Sequence, residues 1–70
     1  MKERFIKRYI AAIREYFGYT GDREGSIIKH YIMGEYEKIL TEEFEMTDAE
    51  IRKIYQAEYD ARYFAGKVGA

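Results

Sequence analysis

The apolar residues of the first segment recur with helical spacing. Phe5, Ile6, Tyr9, Ile10, Ile13, Tyr16 and Phe17, projected at 100° per residue, fall within an arc of about 140°. Arg4, Lys7, Arg8 and Arg14 lie outside it. Strand alternation cannot produce that arrangement, so the pattern predicts a helix from about Glu3 to Phe17. Gly18, Gly21 and Gly25, with Asp22 between them, then break the period. Gly18 is placed to follow the first helix as a left-handed cap.

A second helix is expected with Ser26 as N-cap, or Asp22 if it begins one turn earlier, running to about Phe44. Ile28, Ile32, Tyr36, Ile39 and Leu40 form its expected inner stripe. Gly34 sits inside it as a tolerated glycine, at a cost of roughly 1 kcal/mol relative to alanine. By angular count it falls on the side away from that stripe. The third helix has the clearest start. Thr47-Asp48-Ala49-Glu50 fits the capping box, in which the threonine hydroxyl and the glutamate carboxylate each satisfy a free backbone N–H. Its expected core residues are Ile51, Ile54, Tyr55, Ala61 and Ala65, with Phe64 on the flank and Gly66 as the stop. These elements predict an all-α fold, a small three-helix up-down-up bundle in one domain over residues 1–66. A flexible tail is expected over residues 67–70.

Composition limits what holds such a bundle together. A chain of 70 residues buries a small core. It has no cysteine, so no disulfide, and one histidine, too few for the usual structural zinc sites. Good helix packing, a partner or self-association must supply the rest. No window approaches the roughly 20 apolar residues of a membrane span, and no apolar run follows Lys2 and Arg4 to make a signal peptide. The expectation is a cytoplasmic protein with no membrane contact.

The usual catalytic constellations are missing from the sequence. Ser26, the single serine, has a capping explanation, and His30 falls on the polar side of its helix. The glycine-containing loop lacks the Lys-Ser or Lys-Thr pair of a phosphate loop. The stretch Glu42 to Glu50 lacks the alternating ligands and central glycine of a calcium loop. We therefore expect a non-catalytic protein with no cofactor and no metal.

Charge is distributed unevenly. Residues 1–17 carry five basic and two acidic side chains, whereas residues 35–50 carry seven acidic ones and Lys38. Antiparallel neighbours bring these ends together, so Lys2, Arg4, Lys7 and Arg8 are expected to face Glu42, Glu43 and Glu45. Acidic residues at a helix C-terminus oppose its dipole. Helix stability does not explain Glu42, Glu43 and Glu45, and a negative patch can occupy a basic groove on a partner.

The second half of the third helix points the same way. Glu58 and Arg62 fall near the centre of its apolar stripe, four residues apart and able to pair. Tyr59 and Tyr63 continue a ridge from Tyr55 that is expected to turn from the core. Tyrosine and arginine are enriched in protein interfaces. Tyr19, Ile27 and Tyr31 are expected to make a second exposed patch.

The sequence thus predicts a protein-binding module, an inhibitor or accessory factor. Its contact residues are Tyr55, Tyr59, Arg62 and Tyr63, or Glu42, Glu43 and Glu45. A second copy, giving a homodimer, is another partner that the ridge would suit. The alternative is a small nucleic-acid-binding protein using basic residues of the first and third helices, although the acidic approach to the third helix would repel phosphate.

Overall fold

The structure, a computed structural model, describes residues 1–64. Three helices follow in order: α1 (Lys2–Gly18), α2 (Arg23–Glu42) and α3 (Asp48–Tyr63). Ring contacts fix their directions. Phe5 near the start of α1 meets Phe44 just beyond α2, with ring centres 5.5 Å apart. At the other end Tyr16 meets His30 near the start of α2, at 5.3 Å. Phe17 meets Tyr55 of α3 at 5.4 Å and Tyr63, a further two turns along, at 5.6 Å. The chain therefore runs up, down and up, as the charge asymmetry and short connections suggest. Helix α1 packs mostly on α2 and more lightly on α3, while α2 and α3 touch least.

The core sits on α1. Tyr9 and Ile13 are fully buried together with Leu40 of α2. Ala12, Met33, Met46 and Ile51 complete the buried set, and Phe5, Ile6, Tyr16, Phe17, Tyr36, Phe44, Ile54 and Tyr55 pack around it half-buried. Tyr9 carries a polar group into this core, and its hydroxyl donates to Glu37 Oε2 at 2.7 Å. Burial first, and the Glu37 carboxylate second, push that hydroxyl far above the usual tyrosine range, so it remains a donor.

Each helix start is built locally. Asp22 caps α2, its Oδ1 accepting from the Gly25 N–H at 2.9 Å and from the Tyr19 hydroxyl at 3.0 Å. The Tyr19 ring lies across Gly21 and Gly25, and a side chain at either position would meet the phenol. Of the two starts open to α2, the earlier is the one adopted. The capping box of α3 is complete: Glu50 N–H donates to Thr47 Oγ1 at 3.1 Å and Thr47 N–H to Glu50 Oε1 at 3.0 Å.

Several expectations are corrected. Gly18 remains helical, and α1 stops at Tyr19 with extended backbone, its N–H donating to the Tyr16 carbonyl. No glycine among the described residues takes a positive φ. Gly34 is not among these corrections, since α2 tolerates it, runs unbroken through it and ends at Glu42. Its inner stripe is Met33 and Leu40, flanked by Tyr36, and not Ile28 and Ile32, which are 58% and 38% exposed. The reason is angular: α2 is apolar around more than half its circumference, and α1 covers one side of it. Ala61 is exposed, because α3 meets α1 chiefly through aromatic rings. Ala65, the Gly66 stop and the 67–70 tail lie outside the described residues.

Predictions of two kinds follow, one from the core and one from the caps. Leu40→Ala deletes a fully buried side chain, which costs about 2–5 kcal/mol. A domain this small rarely has more than about 3–5 kcal/mol in total, so circular dichroism should find this variant largely unfolded. Tyr9→Phe keeps the ring and leaves a half-buried carboxylate that water can reach, so a loss of about 1 kcal/mol is expected, read as a fall of about 4–8 °C in Tm.

The second concerns pH. Asp22 is held below its ordinary value of 3.8, first by the Gly25 N–H and then by the Tyr19 hydroxyl. Glu50 is held below 4.5, first by the Thr47 N–H and then by the Thr47 hydroxyl. Depressed carboxylates stabilise above their unfolded values and cease to do so as pH falls through the lower folded ones. These two caps should therefore make the Tm fall as the pH drops below 4.5. The Asp22→Asn/Glu50→Gln variant should lose part of that slope, and an unchanged slope rules the caps out as its source.

Candidate interaction surfaces

Helix α3 is fixed to α1 along the half where an interaction ridge is expected. Glu58 does not pair with Arg62. Its Oε1 accepts from Arg14 Nε of α1 at 2.7 Å, with the Glu58 side chain largely covered. A carboxylate at the centre of an apolar stripe is thus explained by a cation on the facing helix. The Arg62 guanidinium lies over Tyr63 at 6.0 Å and beside Gly18 at the end of α1, where a cation meets the negative end of the helix dipole.

The tyrosine ridge does not turn wholly from the core. Tyr55, Tyr59 and Tyr63 surround Phe17 edge-on at 5.4, 5.9 and 5.6 Å, a favoured aromatic geometry. Tyr59 and Tyr63 also touch each other at 4.7 Å. Burial raises the Tyr55 hydroxyl above the usual tyrosine value. Tyr59 and Tyr63 keep 36% and 44% of their surface in solvent, so one edge of each ring serves the fold and the other faces outward.

The acidic end is exposed. Glu42, Glu43 and Glu45 all face solvent, and among the described residues no ion pair within 4.0 Å joins them to Lys2, Arg4, Lys7 or Arg8. The ion pairs that do form are Arg14 to Glu58 and Lys29 to Glu15, the latter at 3.9 Å. Lys2 instead lies close enough to Glu50 to help hold that carboxylate down. Glu45 adopts φ 56°, the single non-glycine among the described residues with positive φ. The left-handed turn lets Met46 N–H reach the Leu40 carbonyl at 3.1 Å, which brings Met46 into the core. A residue with a Cβ is disfavoured there.

A third surface is formed by the first half of α2. Ile27, Ile28 and Tyr31 are 59%, 58% and 66% exposed, and Ile32 is 38% exposed. Ile27 and Tyr31 are where the sequence expects them. Ile28 and Ile32, expected inside, enlarge the patch, whereas Tyr19 is tied down in the α2 cap. A count of apolar positions alone could not reveal the whole of this patch. The signal that could is the excess of apolar residues on α2 over what one neighbouring helix can cover.

Between α2 and α3 lies an open groove of about 620 Å³, floored by Tyr9, Met33 and Ile51 and edged by Glu37, Lys38 and Arg52. Gly34 opens onto it, with nothing near the position of a missing Cβ. Among the described residues no helix is long and apolar enough to cross a membrane. Compared with protein-family models, with curated proteins and with solved structures, the chain matches none.

The left-handed residue gives a test of whether glutamate is retained for stability. Replacing Glu45 with glycine removes the Cβ penalty at the expense of a more flexible unfolded chain. The net expectation is a gain of about 0.5–1 kcal/mol. Thermal denaturation should therefore show Glu45→Gly melting above the parent. A lower Tm would mean that the Glu45 side chain stabilises the fold.

Proposed function

We propose that this protein is a non-catalytic binding module that docks on another protein, as an inhibitor or accessory factor, through the outer face of α2. The observation that carries this reading is the contiguous exposure of Ile27, Ile28, Tyr31 and Ile32. Single exposed apolar residues are ordinary. Four large ones on adjacent turns of one helix, in a chain whose core is small, are the composition of a contact surface.

The acidic end is continuous with this face. At 100° per residue Glu42 falls in line with Glu24 and Glu35, all three exposed. Glu42, Glu43 and Glu45 act in this proposal as a charged rim that orients the partner. The ridge of Tyr55, Tyr59, Arg62 and Tyr63 supports the same function less strongly, because Phe17 and the end of α1 already engage those side chains.

One observation favours the nucleic-acid reading. Lys2, Arg4, Lys7 and Arg8 of α1 are exposed and lack the expected acidic partners. Such a face would bind phosphates without sequence preference and lose affinity steeply with salt.

Site-specific photocrosslinking in the native host tests the assignment. With the photoreactive residue at position 31, a discrete protein adduct is expected, and with it at position 63 or 43 a weaker adduct or none. Strong adducts at 63 or 43 alone would move the site to the ridge or to the acidic end. Adducts to nucleic acid from position 7 or 8 would replace the reading altogether.

A further inference from the structure

The outer face of α2 carries its own statement about what can cover it. Projected at 100° per residue, Glu24, Ile27, Ile28, Tyr31, Ile32 and Glu35 fall within about 140° of arc. The two glutamates lie on the centre line of that arc. Both are exposed, and the Glu35 carboxylate is close enough to Tyr31 to raise its hydroxyl by hydrogen bonding. The apolar quartet is thus bracketed, one turn before and one turn after, by negative charge on the same face.

This bracket argues against a second copy of the chain. The positions are symmetric: Ile27 with Ile32, Ile28 with Tyr31, and Glu24 with Glu35 are each equidistant from one midpoint. An antiparallel two-fold pairing of quartet on quartet therefore sets Glu24 opposite Glu35 twice. A parallel pairing sets each glutamate opposite its own copy. Like charges held together in either register are repulsive. An anionic lipid surface is disfavoured for the same reason.

Resting on the reading of this face as the docking surface, we infer that its partner is a basic amphipathic helix of another protein. That helix lays apolar side chains on Ile27, Ile28, Tyr31 and Ile32 and places lysine or arginine against Glu24 and Glu35. The two glutamates are eleven positions apart on a continuous helix, about 16 Å along its axis, which sets the separation of the partner's cations at three turns. Lys38 lies a turn beyond Glu35 and inside the arc, between the lines of Ile27 and Tyr31, but past the apolar quartet and beside the α2–α3 groove. Glu42 extends the acidic line toward the end of α2.

A displayed library of amphipathic helices of about five turns tests this directly, with apolar positions fixed and flanking positions randomised over acidic, basic and neutral residues. Selection on the intact protein should enrich lysine and arginine at flanking positions three turns apart. Selection on Glu24→Lys/Glu35→Lys should enrich aspartate and glutamate instead. Helices selected on the parent should bind that charge-reversed variant about tenfold more weakly or worse. Ile28→Asp/Tyr31→Asp changes exposed positions, so circular dichroism should show it folded, and it should select no helix in common with the parent.

Enrichment without charge preference, or unaltered by the charge reversal, overturns the basic partner while leaving the surface standing. Equal selection by Ile28→Asp/Tyr31→Asp overturns the surface itself, as does no enrichment on any protein. A dimer in light scattering at micromolar concentration, abolished by Ile28→Asp, would make the occupant a second copy and overturn the inference.

Discussion

Helix α1 is the constraint on which everything else depends, because each of the other two helices packs on it more than on the other. Tyr9 and Ile13 lie at its centre with no exposed surface. Tyr9 is the more consequential, since its ring fills the core while its hydroxyl reaches Glu37 on α2. A phenylalanine would fill the same volume without fixing that contact. Because one helix provides both interfaces, α2 presents a single stripe to it and leaves the rest of its circumference uncovered. The open groove toward α3 and the exposed isoleucines are both consequences of that geometry.

A core this small is supplemented by aromatic rings at the two ends. Phe5 and Phe44 close one end, and Phe17 within its three tyrosines closes the other. Rings suit the task because a tyrosine buries much apolar area while leaving its hydroxyl in water. That accounts for much of the tyrosine content. It also means that the ridge on α3, which resembles a docking surface by composition, is half committed to holding α3 in place. The Arg14–Glu58 pair belongs to the same joint. It contributes little energy by itself, as partly exposed pairs do, but it removes the charge conflict that would arise from a lone carboxylate on the inner side of α3.

The legible parts of the fold were those written in short-range chemistry. Helix α1 has one apolar arc and a basic remainder, so its inward side is unambiguous. Thr47 and Glu50 specify the start of α3 through hydrogen bonds within one turn. What escaped reading needed a neighbour. The arc of α2 is too broad to show which part faces α1, so the pattern does not single out Met33 and points Ile28 and Ile32 inward. Met46 is buried because Glu45 turns the chain through a left-handed residue, a conformation that nothing in the glutamate side chain announces. Glu58 reads as paired with Arg62 along its own helix until Arg14 across the interface is seen. Of the interaction surfaces, the acidic end and the tyrosine ridge were visible as composition. The α2 face was visible only in part, through Ile27 and Tyr31.

The uncovered face of α2 is where stability and solubility conflict. β-branched isoleucines are not favoured in an exposed helix on propensity, and an apolar patch on a small protein invites association. Placing a glutamate at each end of that patch does not make it less apolar. It changes which surfaces can approach, because the face's own symmetry brings glutamate to glutamate when two copies pair quartet on quartet. In the proposed docking the same arrangement would favour a helix of opposite charge over a second copy, since removing two carboxylates from water is offset where cations meet them. Glu42, Glu43 and Glu45 extend that field at the end of α2, where the helix dipole disfavours acid and, at Glu45, a left-handed backbone disfavours any Cβ. The fold gives these charges no stabilising role, which is what the proposed basic partner would explain.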